Sequence, residues 1–491
     1  MRDEDRTPVV VGVALCQEKT EDPREASEPY RLMCKAVLEA AEDAGSSELL
    51  REVESVGVLR GMWQYRNPAR LVALELGLGD VRTEIADPGV LQLTPFHALC
   101  RAIAEGRQDT GVVVGAEAQY RSLRSMLTNT PVSDTDDSDA PPPDVHYGSS
   151  DPFCSELEAS RGLSLPAEFF AVLESAVRYD RGWSIEENER QLAELQSAFS
   201  RVAAKNPHAW RREELSPEEI RNPGPRNSVL AFPYRKRHAA QWNVNQSAAV
   251  LVCSRAKARE LGLRPERWVY PVAATESRHV VTMAQKRHLH THPGTVLAGE
   301  RLFELSGLSP DDLSFADLYS CFPSAVWCFA HDLRIHPACP WTVTGGMAFA
   351  GGPFNHYALA ATARMAEVLR QEPEPRHGLV SNLSGIFGKE SCLLLSNRPP
   401  AGGYRFEDVT EAVARVDTPL PLDPAYTGPA TVAGYTVLFQ GETPFRAIAV
   451  CDTPEGSRTV AKTDDPRLAE RMTREEFCGR RVRISSDGTM S

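Results

Sequence analysis

Two side chains that could do chemistry lie in the second half of the chain, one at a strand end and one in a polar run. Tyr319 ends the predicted strand Phe315–Tyr319, where a phenol can donate a hydrogen bond or act as a general acid or base. Ser384 lies in the run 381–385 (SNLSG), where its hydroxyl could orient a carbonyl group or a water molecule. The structural alternatives are a buried tyrosine whose hydroxyl finds a partner and a turn-forming serine.

A glycine turn precedes two further candidates. His356 and Tyr357 follow Gly351-Gly352-Pro353, at the start of a predicted helix over Asn355–Arg370. A histidine near this turn could act as an acid or base. Alternatively, His356 is a surface or helix-terminal residue and Asn355 only caps the helix.

Three histidines alternate in the segment 288–292 (HLHTH). On an extended backbone, His288, His290 and His292 would share one face, as metal ligands do. No acidic residue or cysteine lies close by in the sequence, so we expect no metal site here.

The elements that must position these residues alternate between short strands and helices. A continuous apolar run predicts a buried strand over Thr7–Cys16, and a helix over Glu28–Gly45 follows. Further strands and helices alternate up to about residue 118, which is typical of an α/β fold with a largely parallel sheet. The acidic, proline-rich segment 131–152 predicts a mobile surface loop. Helical periodicity then dominates Pro166–Lys205, with Ser184 as an N-cap.

A second α/β section runs over Val269–Asn397 and includes the predicted strand Cys392–Ser396. After the run Arg398–Gly403 (RPPAGG), short predicted strands suggest a small β-rich domain of the size of an OB barrel.

The composition narrows the class of protein. The chain has 491 residues with ordinary hydrophobic and charged fractions, so we expect folded domains. A net charge of −13 disfavours binding to nucleic acid or anionic membranes over the whole surface. No apolar run is long enough for a membrane span, and the N-terminus lacks the pattern of a secretory signal. The eleven scattered cysteines predict reduced thiols and a cytoplasmic location.

Several strings together resemble the thiolase superfamily, especially the sterol-carrier-protein-type thiolases and the thiolase-like proteins of actinobacteria. The strings are GAE at 115–117, NQSAA at 245–249, DLYSCFP at 317–323, TVTGGMAFAGGPFNHY at 342–357 and GLVSNLSGIFGK at 378–389. The resemblance implies a thiolase fold of two halves in a five-layered αβαβα core, with a helical loop insertion. It also implies an OB-like C-terminal domain of the kind that accompanies acyl-CoA-handling relatives.

The resemblance places the thiolase functional positions on residues of other types. The acyl-accepting cysteine falls on Gly89, the Asn or His of the oxyanion site on Tyr319, and the histidine of the GHP motif on Gly352. The second cysteine should lie within Ser381–Gly385, which contains none. Cys321 matches a cysteine that need not be catalytic. We therefore expect no thiolysis through a cysteine acyl-enzyme.

The resemblance implies a coenzyme A thioester as ligand and no other cofactor. The basic turn Arg235-Lys236-Arg237 would bind the coenzyme A phosphates, unless it is only a solvated basic turn. Tyr319, His356, Tyr357 and Ser384 are the catalytic candidates. Three functions stay open: an acyl-CoA-handling protein without thiolysis, a retro-aldolase acting on 3-hydroxyacyl-CoA, and a non-catalytic acyl-CoA-binding or scaffold protein.

The predicted organisation has four parts. Residues 1–120 and 241–268 form the N-terminal half, 121–240 the loop domain, 269–398 the C-terminal half and 404–491 the β-rich domain. We expect the protein to be a monomer or a homodimer. Its ligand should be a small acyl-CoA molecule, and we expect it to bind neither nucleic acid nor a membrane.

Overall fold

The computed structural model describes residues 3–491, so the first two residues of the predicted N-terminal half lie outside the described range. It contains strands in three larger sheets and one small hairpin. The strands are β1 (Pro8–Gln17), β2 (Ser55–Leu59), β3 (Arg82–Ala86), β4 (Thr110–Ala118), β5 (Val145–Tyr147), β6 (Val229–Ala231), β7 (Tyr234–Arg235), β8 (Asn245–Ser254), β9 (Tyr270–Ser277), β10 (Phe315–Asp317), β11 (His377–Ser384), β12 (Lys389–Ser396), β13 (Arg405–Asp408), β14 (Gly428–Gln440), β15 (Thr443–Asp452), β16 (Arg458–Thr463) and β17 (Arg481–Ile484).

The α-helices cover the faces of the sheets and build the insertion between the halves. They are α1 (Pro29–Ala44), α2 (Pro68–Leu76), α3 (Thr94–Ala104), α4 (Gln119–Thr128), α5 (Glu156–Arg161), α6 (Pro166–Asp180), α7 (Ile185–Lys205), α8 (Pro217–Arg221), α9 (Arg255–Glu260), α10 (Pro293–Ser306), α11 (Pro323–Asp332), α12 (Tyr357–Arg370), α13 (Thr410–Val416) and α14 (Pro466–Met472).

The two halves repeat one strand pattern. In the first sheet, β8 pairs antiparallel with both β1 and β4, and β2 then pairs parallel with β4. In the second sheet, β12 pairs antiparallel with both β9 and β11, and β10 then pairs parallel with β11. Both sheets are therefore mixed rather than largely parallel. In the second half the cause is local, because the short connection between β11 and β12 can join only antiparallel neighbours.

Five layers result from the packing of helices on these sheets. Helix α1 covers the outer face of the first sheet, and α10 covers the outer face of the second. Helices α3 and α12 lie between the sheets, where α3 contacts β4 and β13 while α12 contacts β8 and β11. This arrangement confirms the predicted five-layered core.

Burial and capping explain the main elements. Every residue of β4 and of β8 is buried, as expected for strands covered on both faces. Helix α1 has a proline in its first turn and ends at Gly45, which takes the left-handed conformation with φ of 81°. Helix α7 starts at the predicted N-cap, since Ser184 Oγ accepts a hydrogen bond from the Glu187 amide.

The acidic segment 131–152 is attached to the first half. Its residues 145–147 form β5, which pairs parallel with β3 and extends the sheet. The carboxylate of Asp137 accepts hydrogen bonds from the backbone amides of Arg66 and Asn67, both at 2.8 Å. The acidic residues that suggested a free loop thus include one that satisfies backbone donors next to α2.

The C-terminal part contains a four-stranded antiparallel sheet in the order β16-β15-β14-β17, with its own cluster of buried apolar residues. Its strand β14 packs on α6, where Arg178 pairs with Glu476 at 2.8 Å and donates to the Tyr435 hydroxyl at 2.9 Å. The C-terminal domain is β-rich, as expected. The OB assignment stays a prediction, because an OB barrel has five strands and four are seen in this sheet over the described residues.

One strand departs from the predicted organisation. The strand β13 follows the composition change near residue 400, yet it pairs parallel with β9 and so belongs to the second sheet. The exact domain boundaries therefore remain predictions. Among residues 3–491, no helix combines the length and the apolar character needed to cross a membrane.

Candidate functional site

A cavity of about 310 Å³ opens between the two halves at the start of α3. Its walls come from seven segments of the chain, two of which are Val280–Met283 and Phe354–Asn355. The other five are the residues before α3 (Pro88–Gln92), the segment 149–153, the first turns of α6, the loop after β10 (Tyr319–Phe322) and the β11–β12 connection with its flanking residues. The cavity brings together three of the positions expected from the sequence, namely Gly89, Tyr319 and Ser384.

Tyr319 presents a hydroxyl that has accepted one hydrogen bond and still carries its own proton. Its oxygen accepts from Gln92 Nε2 at 3.0 Å, and no described residue accepts the hydroxyl proton. Burial raises the pKa of Tyr319 well above its ordinary value, because an ionised phenolate would lose its hydration. The phenol is therefore a hydrogen-bond donor at neutral pH.

Gln92 is fixed by three hydrogen bonds. Its Oε1 accepts from the Ala358 amide at 2.7 Å, and its Nε2 donates to Tyr319 and to the Phe354 carbonyl at 3.3 Å. Because the amide of Ala358 identifies the oxygen of the side chain, the nitrogen must face Tyr319. This arrangement holds the phenol in one orientation.

Among the described residues that line the cavity, Lys389 carries the positive charge. Its Nζ donates to the Gly89 carbonyl at 2.8 Å and to Ser149 Oγ at 2.6 Å, and it pairs with Asp151 at 2.7 Å. The side chain of Lys389 is 8% exposed and that of Asp151 is 47% exposed. A lysine from β12 thereby ties the segment 149–153 and the start of α3 to the second half.

Ser384 and Cys321 complete the polar part of the wall. Ser384 is paired with Lys389 in the β11–β12 register, so both side chains lie at the same end of the hairpin. Burial raises the pKa of the Cys321 thiol far above its ordinary range. Cys321 is therefore a neutral thiol at neutral pH and a poor nucleophile.

His356 and Tyr357 do not line this cavity. They border a separate small cavity of about 30 Å³ together with Cys16 and Thr344. His356 is fully enclosed, its Nε2 has no partner among the described residues, and burial lowers its pKa to about 3. The structure thus places His356 away from the candidate ligand site. His356 immediately precedes α12, and its side chain packs against Gly115 of β4.

Tyr357 belongs to a buried hydrogen-bond network centred on Asp317. Its hydroxyl donates to Asp317 Oδ1 at 2.8 Å and lies 2.8 Å from Thr344 Oγ1. The other oxygen of Asp317 accepts from the hydroxyls of Thr342 and Thr344 and from the amides of Val343 and Thr344. Such a saturated network fixes the loop after β10.

Gly352, at the GHP position, faces away from the cavity wall as well. Its amide donates to the Gln241 carbonyl at 2.8 Å, and a Cβ built on it would lie 2.9 Å from the Cβ of Ala240. The close approach of residues 240 and 241 leaves little room for a side chain at this position.

The basic turn Arg235-Lys236-Arg237 is not part of the cavity wall. Arg235 pairs with Glu442 of the C-terminal domain at 3.2 Å, and Arg237 donates to the carbonyl of Glu219. Two of the three charges thus have protein partners. The structure does not bring this turn together with Tyr319.

Of the three alternating histidines, His288 and His290 have ring centroids 5.6 Å apart, whereas His292 lies apart from them. His292 is buried and stacks on Phe387 with ring centroids 3.8 Å apart, while His290 pairs with Asp180 at 3.4 Å. No group of three or more potential metal ligands occurs in the described part of the chain.

Comparisons with known proteins agree with this fold. The structure matches a monomeric SCP2-thiolase-like protein type 1 from Mycobacterium smegmatis with a TM-score of 0.80 and 24% identity, covering 98% of this chain and 97% of the other. The chain has the thiolase fold. Residues 408–489 match the model of the thiolase-like protein type 1 additional C-terminal domain, which confirms the predicted resemblance to the thiolase superfamily.

Two curated relatives align with this chain over about 300 residues. An acetyl-CoA acetyltransferase of Methanothermobacter thermautotrophicus is 23% identical over 318 residues, which cover 60% of this chain and 74% of the relative. The 17-hydroxy-3-oxo-4-pregnene-20-carboxyl-CoA lyase of Mycobacterium tuberculosis is 26% identical over 298 residues, covering 60% of this chain and 70% of the relative.

Sequence reasoning missed Gln92, Lys389, Ser149 and Asp151 as wall residues. Gln92 follows Gly89 closely and could have been found from the expected helix start. The pairing of Lys389 with Ser149 joins residues 240 positions apart, so no local pattern could indicate it.

Proposed function

We propose that this protein binds an acyl thioester of coenzyme A in the cavity and polarises the thioester carbonyl with the Tyr319 hydroxyl. The observation that carries the proposal is a buried phenol on the cavity wall that accepts a hydrogen bond from Gln92 and has no acceptor for its own proton among the described residues. A preorganised donor in a partly desolvated site stabilises negative charge that develops on a carbonyl oxygen. The fold of the neighbouring thiolase-like protein and the names of the two relatives support an acyl-CoA ligand.

The same site does not support thiolysis through an acyl-enzyme. The position that the resemblance assigns to the nucleophile is Gly89, which has no side chain to acylate. The thiol on the wall, Cys321, is kept neutral by burial, whereas acyl transfer needs a thiolate. No histidine lines the cavity in the described structure to act as its base.

Carbon–carbon bond cleavage needs fewer catalytic groups than thiolysis, because it needs no nucleophilic cysteine. Retro-aldol cleavage of a 3-hydroxyacyl-CoA forms an enolate of the thioester, and Tyr319 can donate a hydrogen bond to the enolate oxygen. The reaction uses no free coenzyme A and no acyl-enzyme. The lyase name of the Mycobacterium tuberculosis relative favours this activity over a purely binding function.

The test is incubation of the protein with saturated and 3-hydroxylated acyl-CoA esters, followed by mass spectrometry of products and of the intact protein. We expect cleavage of a 3-hydroxyacyl-CoA to a shorter acyl-CoA and a carbonyl compound without added coenzyme A. An acyl adduct on a cysteine together with thiolysis would contradict the proposal. Affinity without turnover would leave a binding protein, and neither affinity nor turnover would leave a scaffold.

A further inference from the structure

An ion pair with a shared hydroxyl occupies the cavity wall beside Gly89. Asp151 accepts hydrogen bonds from Ser149 Oγ at 2.8 Å and pairs with Lys389 at 2.7 Å. Lys389 also donates to Ser149 Oγ, so the three side chains hold one another in place. We name these three residues the Lys389 cluster.

The Lys389 cluster lies where the side chain of residue 89 would point. A Cβ built on Gly89 would lie 3.5 Å from the Cβ of Ser149 and 3.8 Å from its Oγ. Gly89 has a φ of 96°, which a residue with a side chain rarely adopts. The segment 149–153 therefore fills the space next to a residue that has to be glycine in this conformation.

The Lys389 cluster and Tyr319 are anchored to the same short segment. Lys389 holds the carbonyl of Gly89, and Gln92 holds the hydroxyl of Tyr319. Because Gly89 and Gln92 are three positions apart, the two anchors belong to one segment of the cavity wall. The Lys389 cluster and Tyr319 both line the same cavity, one with a carboxylate and the other with a phenol.

We propose that Asp151 accepts the proton of the 3-hydroxyl group of a 3-hydroxyacyl thioester bound in this cavity, with Lys389 and Ser149 as its positioning residues. The inference rests on the proposed function, since it assigns the second half of the same reaction. It gives the site a base and an oxyanion donor on two sides of one ligand.

The step balances without any further reactant. Asp151 takes the hydroxyl proton, the bond between C2 and C3 breaks, and the C3–O bond becomes a carbonyl group. The electron pair moves to C2 and is delocalised onto the thioester oxygen, which accepts the hydrogen bond of Tyr319. The protonated Asp151 then returns its proton to C2, so the products are a shorter acyl thioester and an aldehyde or ketone.

The charges around Asp151 keep it in the deprotonated form that the step requires. The hydrogen bonds from Lys389 and Ser149 hold the pKa of Asp151 below its ordinary value, so the carboxylate is ionised at neutral pH. His146 on β5, five positions before Asp151 in the sequence, pairs with Asp87. The other titratable groups on the wall, Tyr319 and Cys321, keep their protons because burial raises the pKa of each.

The experiment compares Asp151→Asn with Asp136→Asn in the full chain. Asp136 lies in the same acidic segment, bonds only to Ser138 and is absent from the cavity wall, so it is a matched control. We expect Asp151→Asn to lower kcat for 3-hydroxyacyl-CoA cleavage by about 10²-fold or more and Asp136→Asn to change it less than about twofold. Calorimetry with the saturated acyl-CoA, which has no 3-hydroxyl, should give the same Kd for both variants.

Two further variants separate chemistry from structure. Asp151→Glu keeps a carboxylate and should recover part of the rate lost in Asp151→Asn. Lys389→Met should lower kcat more than it raises KM, because it removes the ion pair that orients Asp151. Full activity of Asp151→Asn beside an active wild type would overturn this inference and leave the proposed function intact. A wild-type protein that cleaves no 3-hydroxyacyl-CoA would overturn both.

Discussion

Two tyrosines with rings in contact illustrate how different the cavity wall and the interior behind it are. The rings of Tyr319 and Tyr357 lie 5.8 Å apart and perpendicular to each other. The hydroxyl of Tyr357 meets Asp317, Thr344 and Ser320, whereas that of Tyr319 meets only Gln92. Two residues of the same type thus differ in their hydrogen bonding. The hydroxyl of Tyr357 is saturated by buried protein partners, whereas the hydroxyl of Tyr319 can still donate to a ligand.

The difference teaches that the partners of a polar group, more than its position near a motif, separate a structural role from a reactive one. Burial raises the pKa of both tyrosines, so the pKa alone does not distinguish them. The hydrogen-bond partners do, because a saturated hydroxyl has no donor left to offer.

The largest effect should follow from removing the centre of the interior network. Asp317→Ala leaves the amides of Val343 and Thr344 and three hydroxyls without their buried acceptor. We expect the free energy of unfolding to fall by about 3–5 kcal/mol, since unsatisfied buried donors are costly. Chemical denaturation followed by fluorescence measures this change, and a loss below about 1 kcal/mol would show that the network does not stabilise the loop after β10.

A pair of conservative variants then tests the comparison directly. Tyr319→Phe should lower 3-hydroxyacyl-CoA cleavage by about 10²-fold with little change in stability, because only an oxyanion donor is lost. Tyr357→Phe should do the reverse, lowering the free energy of unfolding by about 1–3 kcal/mol while the folded protein stays active. Parallel kinetics and denaturation curves measure both. Equal losses of activity in the two variants would remove the distinction between wall and interior.

The smallest effect should come from the basic turn. Replacing Arg235, Lys236 and Arg237 with alanine removes one ion pair to Glu442 and one hydrogen bond to Glu219, both at the protein surface. We expect acyl-CoA affinity by calorimetry to change less than about twofold and stability to fall by at most about 1 kcal/mol. A strong loss of affinity at low salt would instead restore the turn as a binding site for coenzyme A phosphates.

The sequence predicted the strands that read as continuous apolar runs, and it predicted the N-cap at Ser184. It missed β11 because Ser381 and Asn382 make that run look like a polar loop, although both are buried in the strand. Gly89 and Tyr319 line the cavity, and their functional roles stay predictions. His356 does not line it, since its direction depends on how the chain enters α12 and packs against Gly115.

The position of β8 between β1 and β4 also has a consequence for the order of events during synthesis. The first sheet lacks the strand that joins β1 to β4 until residue 254 has left the ribosome, long after β4 has been made. At about 5–20 residues per second, that interval lasts roughly 7–27 s. During this time β1 and β4 each present an unpaired edge, so chaperone binding to the nascent chain should be concentrated there.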